Sequence, residues 1–263
     1  MTIVRRTILQ TGTTILSLLM FLGLTGCGGS KLLDDPEPVT IVQPLTTVSD
    51  QRLEAQLDWV IVRDGPGTWA KNADWDEYLL RVRNLSDEPI RITGVAILDS
   101  LDTRLESSAN RKKLVKASRE SVRRHSDEGL KVKAGVGGPT LIAVGGTAMI
   151  AAPAYGAAVL AGSVSAGAAG VVVGAFVLAP VLIVGGMVQS KNNDWVAREM
   201  VNRHTALPAD ISPTEQQSLD IFFPLAPSPR KIELNYVDSS GEHKLIIDTR
   251  DILQGLHLDN TDQ

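Results

Sequence analysis

One thiol, four imidazoles and thirty carboxylates are the first side chains here to ask about covalent, metal or acid–base chemistry. Cys27 is the only cysteine, so the chain can build neither an internal disulfide nor a multi-cysteine metal site. His125, His204, His243 and His257 are scattered, with none of the paired spacings that put two imidazoles on one metal. A nucleophile elbow needs Gly-x-Ser-x-Gly, and Gly162-Ser163-Val164-Ser165 has the wrong register. Gly135-Val136-Gly137-Gly138 lacks both the final glycine and the acidic partner of a dinucleotide loop. Asp34-Asp35 and Asp99/Asp102 read as turn acids, since a working pair also needs a cleft and perturbed pKa values. No catalytic residue, metal or cofactor is expected, and the chain reads as a non-enzyme. Trp69 and Trp75 sit in a polar stretch, Gly67 to Trp75. They suit either a contact for a protein partner or a cap on the end of a β domain.

Elements must hold these residues, and the composition allows a sizeable core: 263 residues, 43% hydrophobic and 21% charged. A net charge of −4 argues against general nucleic-acid binding. Leu53, Ala55, Leu57 and Trp59 alternate with Glu54, Gln56 and Asp58, the period of a half-buried strand. Tyr78, Leu80 and Val82 repeat it, and Asn84–Pro89 supplies a turn before a strand over Ile90–Leu98. A short edge strand is expected at Val39–Val42, stopped by Pro44. At the far end, strands over Leu219–Phe223 and Ile232–Tyr236 precede Asp238-Ser239-Ser240-Gly241, and Leu245 and Ile247 complete a hairpin. Short strands without βαβ crossovers suit an immunoglobulin-like β-sandwich in two halves, 39–103 and 212–263.

Between the halves, residues 134–190 hold no Asp, Glu, Lys, Arg or His and carry 12 of the 23 glycines. As one helix this stretch would run about 86 Å, nearly three times the ~30 Å hydrocarbon layer. A transmembrane helical hairpin fits better, with spans at Leu141–Ala161 and Val171–Val188. Ala154, Ala158, Gly162, Ala166, Gly170 and Gly174 recur every four residues, a small-residue row that allows close helix packing in lipid. Trp195 and Lys191 follow as interfacial anchors. A buried hairpin in a water-soluble oligomer and a low-complexity loop are the competing readings.

Residues 104–133 carry ten basic and four acidic side chains, a local net of +6. A helix is expected over 104–127, with Leu114, Val115 and Val122 as a thin apolar stripe. Arg111, Lys112, Lys113, Lys116, Arg119, Arg123 and Arg124 would rest on anionic headgroups, unless the helix is a solvated connector. A shorter helix is expected over Asp194–His204, within a 191–211 linker and capped by Asp194.

The first residues set the compartment. Arg5 and Arg6, the apolar Ile15–Leu24 and the small residues before Cys27 follow the order of a secretory signal, too short to span a bilayer. Leu24-Thr25-Gly26-Cys27 resembles the lipobox of bacterial lipoproteins. That resemblance implies removal of 1–26, a diacylglyceryl group on the Cys27 thiol and an acylated amino terminus; Gly28-Gly29-Ser30-Lys31 and Asp34-Asp35-Pro36 make 27–38 read as a short lipidated tether. Gly28, rather than aspartate, after the cysteine favours the outer membrane, facing the periplasm, in that family. The overall order of lipobox, soluble segment and central Gly/Ala hairpin is similar to the surface-exclusion lipoproteins of conjugative plasmids. The architecture implies a structural or interaction lipoprotein, self-associating through its hairpin. A pore component and a periplasmic binding module using the Trp69–Trp75 loop are the alternatives.

Overall fold

Alternation along the chain becomes two antiparallel sheets. The computed structural model describes residues 29–36, 38–39, 41, 43–135, 141–144, 147–150 and 189–259. Signal segment, Cys27 and Gly28 lie outside them. In chain order the elements are β1 (Lys31–Leu32), β2 (Thr46–Ser49), β3 (Leu53–Ile61), β4 (Ala70–Lys71), β5 (Asp76–Asn84), β6 (Ile90–Leu98) and β7 (Arg104–Glu106). Then come α1 (Arg111–Asp127), β8 (Leu141–Val144), β9 (Thr147–Ile150), α2 (Gln189–Arg203), β10 (Ala209–Ile211), β11 (Gln216–Phe223), β12 (Lys231–Asp238) and β13 (Gly241–Asp248). The described fold is mainly β, with two helices.

The first sheet runs β11-β5-β3-β2; the second runs β10-β6-β12-β13, with β7 also on β6. Both sheets therefore interleave strands from before and after the apolar stretch: Tyr78 pairs with Ile221, and Ile97 with Ile232. Leu53, Leu57, Tyr78, Leu80 and Val82 from the first sheet share one buried cluster with Ile92, Ile97, Leu234, Tyr236 and Ile247 from the second. Tyr78 meets Phe223 edge-on in it, ring centroids 5.3 Å apart. The hairpin at Asp238–Gly241 forms as its turn residues dictate, Asp238 Oδ1 accepting the Ser240 N–H at 2.7 Å.

Five expectations change. Val39 and Ile41 lie in no strand; the edge is β2 instead, because Asp50 closes a tight turn into β3, its Oδ1 accepting the Arg52 and Leu53 N–H groups at 2.8 Å. A bulge between Leu57 and Trp59 shifts the face of β3. Val60 and Val62 take the inward positions, Trp59 is left half-buried, and Asp58 is buried against Arg81 at 2.7 Å. The basic segment is not helical from 104, because Leu105 pairs with Ile97 as an edge strand. Helix α1 starts only after Asn110, whose side chain accepts the Lys113 N–H at 3.1 Å. Helix α2 begins at Gln189, so Asp194 lies inside it and caps nothing.

The fifth change concerns the apolar run. Leu141–Val144 and Thr147–Ile150 pair antiparallel, Val144 opposite Thr147, where a membrane helix was expected. Gly145-Gly146 between two runs rich in β-branched residues is a hairpin signal, and at this spot it outweighs the helix reading. Among the described residues no helix is long and apolar enough to cross a membrane. The second span and the row Ala154, Ala158, Gly162, Ala166, Gly170 and Gly174 lie outside the described residues.

Candidate functional site

The two helices cover the outer face of the first sheet. Leu114 of α1 and Val196 and Met200 of α2 pack with Trp69, Trp75 and Phe222 in a second buried cluster. Trp69 and Trp75 are only 4% and 2% exposed, with ring centroids 6.2 Å apart. They are thus unavailable as a partner contact: the polar loop folds its indoles inward because Phe222 and the helices offer them a dry surface. Their spacing in the sequence shows the pair but not the direction in which it points.

Helix α1 buries Leu114, Ser118, Ser121 and His125, leaving Val115 and Val122 half-buried at its flanks. Three of the four inward residues are polar, so the thin apolar stripe reduces to Leu114 with Val115, which packs against the second buried cluster, while Val122 stays outside it. Ser118 Oγ lies 2.6 Å from the Asp74 carbonyl oxygen and accepts the Leu225 N–H at 2.9 Å. His125 is fully buried, with Nδ1 2.9 Å from the Ser121 carbonyl oxygen and Nε2 3.0 Å from Ser100 Oγ. Since a carbonyl can only accept, Nδ1 donates to it, and Nε2 shares a hydrogen bond with the Ser100 hydroxyl. Asp99 Oδ2 sits 4.0 Å from the same Nε2 rather than behind Nδ1. A hydrolytic triad holds its carboxylate behind the ring, so this contact pins α1 to the 99–103 turn instead. Asp99 Oδ1 organises that turn by accepting the Leu101 and Thr103 N–H groups at 2.9 Å.

With its polar stripe inward, α1 turns its cations outward. A groove of about 660 Å³ runs beside it, walled by Arg111, Lys112, Lys116, Arg119 and Arg123, with Gly29, Ser30, Asp74 and Asn193 opposite. Ser30 is 3% exposed: its Oγ donates to the Asn72 carbonyl at 3.2 Å and accepts from Arg111 Nη2 at 3.0 Å. Strand β1 then pairs with β4, so the chain is docked from its first described residues. The Arg111 guanidinium also lies 5.9 Å from the Trp75 ring centroid. Burial pulls its pKa below the ordinary arginine range, Arg119 adding to this while Asp74 and Asp194 oppose it; it stays a cation.

Lys112, Lys116, Arg119 and Arg123 follow the helical repeat and are exposed. Asp74 is engaged by Arg63, and Glu120 by Lys116 at 3.9 Å. Two predicted surface cations fall outside the groove: Lys113 is exposed beside it, and Arg124 turns towards Asp99 at 3.6 Å. On α2, the exposed Trp195 carries the Arg198 guanidinium 4.0 Å from its ring centroid.

Beneath α2 lies a buried charged set that sequence reasoning missed. Glu77 accepts the Trp69 indole N–H, and its Oε1 stands 3.8 Å from Arg203, which also binds Glu199 at 2.9 Å. Burial raises the Glu77 pKa against the opposing hydrogen bond of Asp220 and charge of Arg203. Burial and the Glu77 carboxylate push Asp220 up to about 10, so the pair keeps one proton at neutral pH. The signal available was two acids on neighbouring strands that face a helix, Glu77 opposite Phe222 and Asp220 opposite Leu79. His257 and Asp76, both fully buried, form a second link at 2.7 Å. His257 Nδ1 lies 3.1 Å from the Gly135 carbonyl oxygen, at the threshold of the apolar run. No group of three or more His, Cys, Asp or Glu placed to hold a metal ion occurs among the described residues.

No family model matches the chain, and no curated protein matches it. A solved structure of a candidate lipoprotein, ycdA, from Bacillus subtilis subsp. subtilis str. 168 shares 9% identity with it at a TM-score of 0.30. That likeness covers 77% of this chain and 38% of the other, so the chain spans under two-fifths of that protein's length.

Proposed function

We propose that the chain is a non-enzymatic lipoprotein of the bacterial cell envelope, held by acylated Cys27 with α1 against the membrane surface. The outer membrane, periplasmic side, is the assigned location, and an immunoglobulin-like sandwich of the two sheets is the body presented there. The observation that carries this reading is the burial of Ser30 against Arg111, three residues after Cys27. Two residue steps span at most about 7 Å of extended chain, so an anchor at Cys27 stays near Gly29 and the cations of the groove. Gly29 also touches α2: a Cβ there would come within 3.0 Å of Asn193. An anchor at Cys27 would therefore lie on the side of the molecule where Gly29, Asn193 of α2 and the cations of α1 meet. Each basic residue near an anionic surface contributes around 1 kcal/mol, and the exposed Trp195 is the residue type found at such interfaces. Self-association through the Ala154–Gly174 row is part of the proposal, as is a periplasmic protein partner, though not through Trp69 and Trp75.

Mass spectrometry of protein purified from membranes tests the anchor. Mature chains should begin at Cys27 with three acyl chains, and Cys27→Ser should lose them all. An unmodified thiol would overturn the reading. For self-association, Gly170→Leu with Gly174→Leu should lower the mass in detergent, and an unchanged oligomer would refute that part.

A further inference from the structure

We propose that the groove between α1 and the Gly29–Ser30 segment is a binding site for the phosphoryl group of an anionic lipid headgroup. This rests on the anchored reading above and sharpens it from a diffuse basic surface to a defined site. Lys112, Lys116, Arg119 and Arg123 stand at i, i+4, i+7 and i+11, a single stripe some 16 Å long at 1.5 Å per residue. With Arg111 they bring five positive charges to the lining, against Asp74 and Glu120. Asp74 is committed to Arg63 and Glu120 to Lys116, and among the described residues Lys112, Arg119 and Arg123 have no ion-pair partner. A chain of net charge −4 has thus concentrated unpaired cations along one cavity.

Arg111 ties the groove to the Gly29–Ser30 segment. Its Nη2 is spent on Ser30 and its ring-facing side on Trp75, yet its Nε is buried with no hydrogen-bond partner. A buried N–H without an acceptor is costly, and the positive charge of the same guanidinium belongs to the groove lining. Guanidinium forks suit the tetrahedral oxygens of phosphate better than a single carboxylate, and the neighbouring lysines add point charge. The source is assigned to lipid because the Cys27 anchor would hold the groove at headgroup level.

Calorimetric titration of the full chain in non-ionic detergent tests this, using short-chain phosphatidylglycerol, phosphatidylcholine of equal length, and inorganic phosphate. Phosphatidylglycerol should saturate at least tenfold more tightly than the other two. Arg119→Gln and Arg123→Gln should each weaken it about fivefold, the equivalent of one basic residue at a charged surface. Lys113→Gln, the same charge change just outside the groove, should leave the affinity unchanged. Equal binding of the two lipids would overturn the proposal, as would an equal loss with Lys113→Gln, which would mark diffuse attraction. Inorganic phosphate binding as tightly as the lipid would overturn the headgroup assignment. Unmodified Cys27 with intact groove binding would instead defeat the anchored reading alone.

Discussion

Strand β5 has two buried faces that are built on different physics. Tyr78, Leu80 and Val82 meet the second sheet in an apolar cluster, whereas Glu77, Leu79 and Arg81 face the other way, where helices, ion pairs and an indole cover them. The first face gains from removing apolar surface from water, about 25 cal/mol per Å², whatever the pH. The second depends on partners: each buried charge there costs free energy unless another group compensates it. Two sides of one strand should therefore respond differently to the same perturbation, and that difference can be measured.

The largest effect belongs to the apolar face. Leu80→Ala should lower stability by about 3–4 kcal/mol, seen as a drop in the urea midpoint, and equally at pH 5 and pH 9. A loss that varied with pH would show that charged groups reach the core between the sheets. On the helix face, Arg203→Met should cost about 2 kcal/mol at pH 9, because Glu77 loses its nearest cation at 3.8 Å. At pH 5 the cost should shrink, since Glu77 can then take up a proton instead.

The wild-type protein should show the same asymmetry as a pH slope. Burial raises the Asp220 pKa from 3.8 in its free form to about 10, so the folded state binds a proton that the unfolded chain releases. Stability from this pair is complete below pH 4 and is lost as pH rises towards 10, the direction expected where the native state holds more protons. Asp220→Asn should flatten this slope and raise stability at pH 9 by on the order of 1 kcal/mol, read from denaturation midpoints across the range. An unchanged slope would place the titrating group elsewhere.

The apolar face was legible because period-two alternation is written into single strands: Leu53, Tyr78, Ile221, Ile232 and Ile247 all point as their neighbours dictate. The misreadings came where partners distant in sequence decide. A bulge after Leu57 turned Trp59 outward, Leu105 joined an edge strand, and Trp69 and Trp75 were drawn under two helices. The charges of α1 were legible, but the groove was not, because its opposite wall comes from Ser30, Asp74 and Asn193. Those residues lie far from α1 in the chain, and nothing in their local sequence marks them.

Smallest of all should be the response of the outward cations themselves. Lys112, Arg119 and Arg123 are exposed and have no ion-pair partner among the described residues, and Lys116 reaches only Glu120 at 3.9 Å. Exposed charges and single surface pairs of this kind contribute between zero and ~1 kcal/mol. The triple change of Lys112, Arg119 and Arg123 to glutamine should therefore shift the urea midpoint by less than about 0.5 kcal/mol of stability. Relief of repulsion among like charges could even raise it slightly. A loss of several kcal/mol would mean that the fold needs these cations, and their concentration along one groove would then be structural. A near-zero change would separate them from the groups buried on the helix face, the indoles, Glu77 and Asp220, and would leave the cations free for the proposed headgroup.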